Sequence, residues 1–348
     1  MTVITTPNEA GCRWPAEWEP HRATWLAWPH NRDTWPGRFD RIAEPFSQFV
    51  RTLATFEPVE ILVNDDVASR AKSMVGDLDD VTLHPIPTND AWIRDYGPMF
   101  LEGPDGAGST IVDWDFNSWG GKYPPWDKDN RVTREIVMHL AARSFQPGIV
   151  LEGGAIDGNG VGLLMTTESC LLDRNRNAEI GRPEMELILR KYCCASKVLW
   201  LTGGSMAGDD TNGHVDQLAR FVSCDQVVVA VEDDPSDDNY EPLQTNLANL
   251  EAATCQLGQS LELIELPMPR PIVVNGQRLP ASYCNFYIAN GCVIVPQFDD
   301  AGDSVALATL KPLFPSRQVI GLPARELILG LGAFHCLSQQ QPRAAENP

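Results

Sequence analysis

Cys336 stands at the end of Gly330-Leu-Gly-Ala-Phe-His-Cys336, with a polar run behind it. A thiol is only about a few per cent ionised at neutral pH, yet it is already a strong nucleophile. The small residues Gly330, Gly332 and Ala333 let the backbone pass close to a ligand. Taken alone, Cys336 reads equally as an inert core cysteine. A second polar centre is Gly208-Asp-Asp-Thr-Asn-Gly-His-Val-Asp216. His214 and Asp216 are two apart, so a strand running from Val215 would place both on one face. Histidine suits both proton donation and abstraction near neutrality. The other readings of this pair are a metal site and a satisfied core pair. A metal is disfavoured because no second histidine lies nearby in sequence. Asp95 precedes Gly97-Pro98 and follows Trp92 and Arg94. It reads as a carboxylate aimed into a cleft or as a turn-forming Asp. Glu152 ends an apolar run before Gly153-Gly154, placed to orient a histidine or to meet a cation. Asp157-Gly-Asn-Gly160 after it signals a hairpin.

A Cys–His pair alone suggests a protease or acyl transferase. The additional carboxylates argue against that, because negative charge opposes the oxyanion that acyl transfer builds. Two carboxylates do suit a guanidinium, whose N–H donors form a planar fork that carboxylates bind bidentately. Asp95 and Asp216 gripping it from two sides would leave its central carbon open to Cys336.

The elements that must carry these groups read as an α/β chain. Short β-branched runs predict strands at Val59–Val63, Gly148–Leu151, Val198–Leu201, Val227–Val231, Leu261–Leu266, Val293–Val295 and Val319–Leu322. A 3.6-residue period predicts a helix over Val132–Ala141, and similar patterns cover Tyr240–Gln256 and Ser304–Leu313. Asp95, Glu152, His214, Asn285 and Cys336 each sit beside a glycine-containing turn and an apolar run. They are separated by 57, 62, 71 and 51 residues. That spacing suggests a repeated supersecondary unit delivering one polar group each to a common centre.

The 348 residues, 43% of them hydrophobic, suffice for a large core. No linker-like segment divides them, so one domain over 1–348 is expected, with 343–348 as a frayed tail. A net charge of −20 argues against nucleic acid as a partner and suits a cationic substrate. No run approaches the length of a membrane span, and the start lacks a secretory signal. The nine cysteines are scattered, with no C-x-x-C pair. A reducing cytoplasm is the expected compartment.

At this point the chain resembles the agmatine deiminases of the guanidine-modifying superfamily, the penteins, and more broadly the bacterial peptidylarginine deiminases. The resemblance runs from Trp14 to Pro342. It is carried by Trp14-Pro-Ala-Glu-Trp-Glu-Pro-His21, Trp25-Leu-Ala-Trp-Pro29, Arg94-Asp-Tyr-Gly-Pro98, Phe116-Asn-Ser-Trp-Gly-Gly-Lys122, Glu152-Gly-Gly154, the segment from Gly208 to Asp216, Ser282-Tyr-Cys-Asn-Phe-Tyr-Ile-Ala-Asn-Gly291, His335-Cys336 and Gln339-Gln-Gln-Pro342. It implies a five-bladed α/β propeller with one polar group per blade. It implies hydrolysis of agmatine to N-carbamoylputrescine and ammonia, a step of putrescine and polyamine biosynthesis, with no cofactor and no metal. Cys336 then matches the nucleophile, His214 the general acid/base and Glu152 the partner of that histidine. Asp95 and Asp216 match the guanidinium clamps. Trp92 and Asp210 fall where the substrate's tail is contacted, and Trp119 and Asn285 lie in matching motifs near the site. A homodimer or larger oligomer is implied by analogy.

The chain departs from the family at the nucleophile loop, which commonly reads Gly-Gly-Gly-Asn-Ile-His-Cys. Here Leu331, Ala333 and Phe334 replace Gly, Asn and Ile. The thiol is kept, so the departure bears on the pocket and the substrate. A deiminase of peptidyl-arginine or of another small guanidino compound is the alternative. A binding protein without catalysis is a third reading, but it leaves the thiol without a use.

Overall fold

The computed structural model describes residues 5–104, 109–257 and 261–343. The frayed tail expected over 343–348 lies outside the described residues except for Arg343, whose N–H donates to the Pro20 carbonyl at 2.7 Å.

The strands are β1 His21–Ala27, β2 Val59–Leu62, β3 Val81–His84, β4 Met99–Glu102, β5 Ser109–Val112, β6 Arg143–Phe145, β7 Ile156–Gly158, β8 Leu163–Thr167, β9 Lys197–Leu201, β10 Ala219–Phe221, β11 Gln226–Val231 and β12 Glu262–Pro267. They continue with the small hairpin β13 Val273–Val274 and β14 Gln277–Arg278, then β15 Tyr287–Ile288, β16 Cys292–Gln297, β17 Gln318–Pro323 and β18 Ser338–Pro342.

One pairing rule repeats. In β4-β5-β6, β7-β8-β9, β10-β11-β12 and β15-β16-β17, the first strand is antiparallel to the second and the third is parallel to it. The parallel step needs a crossover, and helical segments supply it. They are Asp129–Leu140, Arg182–Tyr192, Tyr240–Leu257 and Gly302–Leu310. The fifth sheet, β18-β1-β2-β3, follows the same rule with its strands drawn from both ends of the chain. β18 is antiparallel to β1, β2 is parallel to β1, and Ala43–Ala54 is the crossover helix. The C-terminal strand thus completes the N-terminal unit.

The local causes are conventional. In Ala43–Ala54, the residues Ala43, Phe46, Phe49, Val50 and Leu53 recur every three or four positions and are buried. The run Val227–Val231 in β11 is buried throughout, as expected for a strand covered on both faces. Trp25, Trp28 and Trp35 are fully buried and serve as packing. Two of the sequence expectations need correction. Gly148–Leu151 forms no strand and contributes only a bridge from Val150 to Asp115. The run after His214 begins as a 3-10 turn over Val215–Gln217, so the shared-face argument for His214 and Asp216 does not apply. Among the described residues, no helix is long and apolar enough to cross a membrane.

Candidate active site

The five spaced polar groups now have a structural place. Asp95, Glu152, His214, Asn285 and Cys336 each immediately precede the first strand of a unit, respectively β4, β7, β10, β15 and β18. Most do so through a tight turn. Ile93–Tyr96 carries Asp95, Gly153–Ala155 follows Glu152, and Val215–Gln217 carries Asp216. A turn at this point bends the chain, so the polar side chain is released from the strand's alternation.

Gly154 marks where they meet. A Cβ on it would lie 2.6 Å from His214 Nδ1, 2.8 Å from Asp95 Oδ1 and 3.1 Å from Asp216 Oδ2. Its N–H donates to Asp95 Oδ1 at 3.0 Å. Asp95 Oδ2 accepts from Trp119 Nε1 at 2.9 Å. Trp119 is delivered by an unusual turn in which Ser118, Trp119, Gly120 and Gly121 all have positive φ. For the two non-glycines that conformation costs roughly 1–2 kcal/mol each, a local strain held by surrounding contacts. Burial pushes the Asp95 carboxyl up to about 6. His214 opposes that shift, while Asp216 and Glu152 add to it.

Cys336 Sγ accepts from Asn285 Nδ2 at 3.1 Å and lies 3.5 Å from Asp216 Oδ2. Asn285 Oδ1 takes the backbone N–H groups of Ala333 and Cys336 at 3.1 and 3.3 Å. One side chain therefore fixes both the loop and the sulfur. Burial, Asp216 and Asp95 all push this thiol well above its ordinary range. Asp216 itself sits below the usual carboxylate range. Burial raises it, but His335, His214 and Arg220 outweigh that. His335 Nδ1 lies 2.7 Å from Asp216 Oδ2, and its Nε2 lies 2.9 Å from Glu17 Oε2.

His214 is buried, and neither ring nitrogen has a hydrogen-bond partner among the described residues. Nδ1 faces Asp95 Oδ1 at 3.6 Å and Nε2 faces Glu152 Oε2 at 3.9 Å. The nearer carboxylate is thus Asp95, whereas Glu152 was the expected partner. Both Glu152 oxygens accept from Arg176 Nε, at 2.8 and 2.9 Å. Burial pulls the imidazole pKa down, but Asp95, the Cys170 sulfur and Glu152 hold it well above the ordinary value.

The peripheral residues are also located. Trp92 is buried against Trp35, with ring centroids 5.5 Å apart, and lines the loop that bears Cys336. A Cβ on Gly332 would lie 2.5 Å from Trp92 and 3.0 Å from Cys336 Cβ, so only glycine fits there. Asp210 is half-buried and accepts from Tyr123 Oη at 2.5 Å, while Lys122 Nζ donates to its carbonyl. Phe334 packs in the hydrophobic core. It is fully buried, 4.8 Å from Phe49 between ring centroids. Ala333 is buried too, which leaves Leu331, half-buried at φ 72°, as the substitution facing outward.

Sequence reasoning missed Glu17, Cys170, Arg176 and Arg220. Each is buried and charged or reactive, and each supports a site group. Arg220 bonds Asp157 through Nε at 2.6 Å and Glu17 through Nη2 at 2.8 Å. Glu17 lies in the Trp14–His21 motif, which could have flagged it; nothing in the sequence sets Cys170, Arg176 or Arg220 apart from surface charges or core thiols, because their role is defined only by burial.

Similarity to solved structures fixes the class first. An Enterococcus faecalis agmatine deiminase superposes with a TM-score of 0.92 at 32% identity, covering 99% of each chain. A structure described as the putative arginine deiminase of Porphyromonas gingivalis gives 0.88 at 36% identity, covering 96% of this chain and 99% of that one. The fold is therefore the mixed α/β pentein fold of these proteins. The family of Porphyromonas-type peptidyl-arginine deiminases matches residues 13–342, and the chain belongs to it. An agmatine deiminase from Ectopseudomonas mendocina is 38% identical over 98% of both chains.

Proposed function

We propose that this chain is an agmatine deiminase, a hydrolase that converts agmatine and water to N-carbamoylputrescine and ammonia. The observation that carries the reading is the meeting of Asp216, Asp95 and His214 around the Cβ-free face of Gly154, with Cys336 Sγ 3.5 Å from Asp216 Oδ2. Full-length similarity to agmatine deiminases supports it.

In this reading Asp95 and Asp216 take the N–H edges of the guanidinium. The arriving cation offsets the two carboxylates that hold the Cys336 thiol protonated, and an adjacent positive charge lowers a thiol's pKa. The thiol's proton passes to solvent. The thiolate then forms a C–S bond to the central carbon. His214, as imidazolium, gives its proton to the leaving nitrogen, the C–N bond breaks, and ammonia departs. A cationic amidino-thioether remains. Neutral His214 takes a proton from water, the oxygen adds to the same carbon, and the C–S bond breaks to return the thiolate. The remaining hydroxyl proton passes to solvent as the urea forms. Glu152, fixed by Arg176, supports the charged state of His214. Asn285 holds the sulfur in line. Trp92 walls the substrate channel, Trp119 steadies Asp95, and Asp210 takes the ammonium tail of agmatine.

An ammonia-release screen over agmatine, arginine, guanidinobutyrate and a capped arginine peptide tests the substrate. Agmatine is expected to give the highest kcat/KM, and preference for the peptide would overturn the assignment. Cys336→Ser is expected to lose activity by about three orders of magnitude or more. Substantial turnover by that variant would remove Cys336 from the mechanism.

A further inference from the structure

Cys170 is a buried thiol that the reaction above does not use. It lies in the turn Glu168–Leu171, which Thr167 caps by accepting the Cys170 N–H. Thr167 also donates to the Gly213 carbonyl at 2.6 Å, so this turn is tied to the segment bearing His214. Cys170 Sγ is 4.0 Å from Glu152 Oε2, which is itself 3.9 Å from His214 Nε2. One donor atom from each of the three residues lies within 4.8 Å of the other two.

We propose that Glu152, Cys170 and His214 form a binding site for a soft divalent cation of the zinc type, and that its occupation inhibits the enzyme. The donor set is one sulfur, one nitrogen and one oxygen, the mixture zinc favours, with a fourth position open for water. Zinc–ligand bonds of about 2.0–2.3 Å put tetrahedral donors about 3.3–3.6 Å apart. The observed separations, 4.0 and 3.9 Å with all three donors within 4.8 Å of one another, require the side chains to draw together by up to about 1 Å. His214 is suitably unengaged, since both ring nitrogens are buried without a hydrogen-bond partner among the described residues. With Nε2 on the metal, Nδ1–H faces Asp95 Oδ1 at 3.6 Å, the carboxylate–histidine–metal relation common in zinc proteins. Arg176 occupies part of Glu152 through Nε, but a carboxylate offers about four lone-pair sites and retains acceptor capacity. Charge also fits. Glu152, Asp95 and a Cys170 thiolate balance Arg176 and a divalent ion. In the metal-free protein, His214 as imidazolium supplies part of that positive charge.

Binding rests on these residues alone, whereas inhibition rests on the acid/base role proposed for His214. The two are separable. The full chain carrying Cys336→Ser, which removes the nucleophile as a competing ligand, is titrated with Co2+ in mildly alkaline buffer, where the protons on imidazole and thiol are more readily displaced. A thiolate-to-cobalt charge-transfer band is expected, and it should vanish when Cys170→Ser or Cys170→Ala is added. Circular dichroism establishes that each variant is folded. A band that survives loss of Cys170, or no band at all, overturns the site. A band lost on Cys336→Ser but kept in Cys170→Ser would put the ion on the nucleophile and overturn it equally. In the unsubstituted protein Zn2+ should slow ammonia release, reversibly with a chelator. Cys170→Ser should raise the half-inhibiting concentration at least about tenfold, each rate being normalised to that protein's own metal-free rate. An unchanged half-inhibiting concentration overturns the inhibitory role. A band with no ammonia release from the metal-free, unsubstituted chain would sink the deiminase reading and leave the metal site standing.

Discussion

As a proposed guanidinium clamp, Asp95 sits between two demands. To take that role it must be ionised, yet burial and its acidic neighbours push its carboxyl up to about 6. In the proposed reaction, kcat/KM for agmatine should therefore fall about tenfold per pH unit below about 6. A profile flat from neutrality to well below that value would exclude Asp95 as a clamp. The same reasoning makes the thiol of Cys336 dependent on its substrate. Before agmatine arrives, Asp216 and Asp95 disfavour the thiolate. At this scale the sequence was informative wherever a residue type carries chemistry beside glycine, as with Cys336, His214 and Asp95. It was silent on Arg176, one arginine in Arg174-Asn-Arg176, whose pairing with Glu152 only folding creates.

At the scale of elements, the turns before the first strands matter more than the strands. Gly153–Ala155 is the clearest case. Its backbone donates to Asp95, and Gly154 leaves the space into which three side chains point. Gly154→Ala should cost at least about a hundredfold in kcat/KM, because its Cβ would meet His214 and Asp95 below 3 Å. Circular dichroism should show the fold retained, since the clash is with movable side chains. Near-normal activity would mean that His214 and Asp95 move aside without loss of function, and would overturn the role given to the tight turn at Gly153–Ala155. The strand runs at Val227–Val231 and Val293–Val295 were legible because continuous β-branched burial is a local signal. Gly148–Leu151 misled because an apolar run beside a turn looks the same whether or not a neighbouring strand is there to pair with it.

For the whole molecule, buried carboxyls set the pH dependence of stability. Asp95 and Asp157 are both pushed up to about 6, mainly by burial. For an acid with a raised folded pKa, the stability contribution is full below the unfolded value and lost as pH rises through about 6. Glu17, Glu57 and Asp216 are shifted down, so their contributions hold above the ordinary carboxylate range and fade only on stronger acidification. The net charge of −20 adds repulsion that acid relieves. The melting temperature should therefore rise as pH falls from about 7 through about 6 toward about 4.5–5, then drop on stronger acidification as the downshifted carboxylates are protonated. A steady fall from neutrality downward would contradict this balance. Stability and activity are thus expected to peak on opposite sides of about pH 6. The sequence by itself determined the repeat and its chemistry. Polar groups beside glycines at intervals of 57, 62, 71 and 51 residues imply one group per unit, and residue type alone limits what a thiol, an imidazole and two carboxylates can do together. Only the tertiary structure decided that Asp95 and Glu152 flank the two nitrogens of His214, which residues hold Glu152 and Asp216 in place, and that Phe334 belongs to the core. Those outcomes depend on distances between segments far apart in the chain, and local pattern carries no record of them.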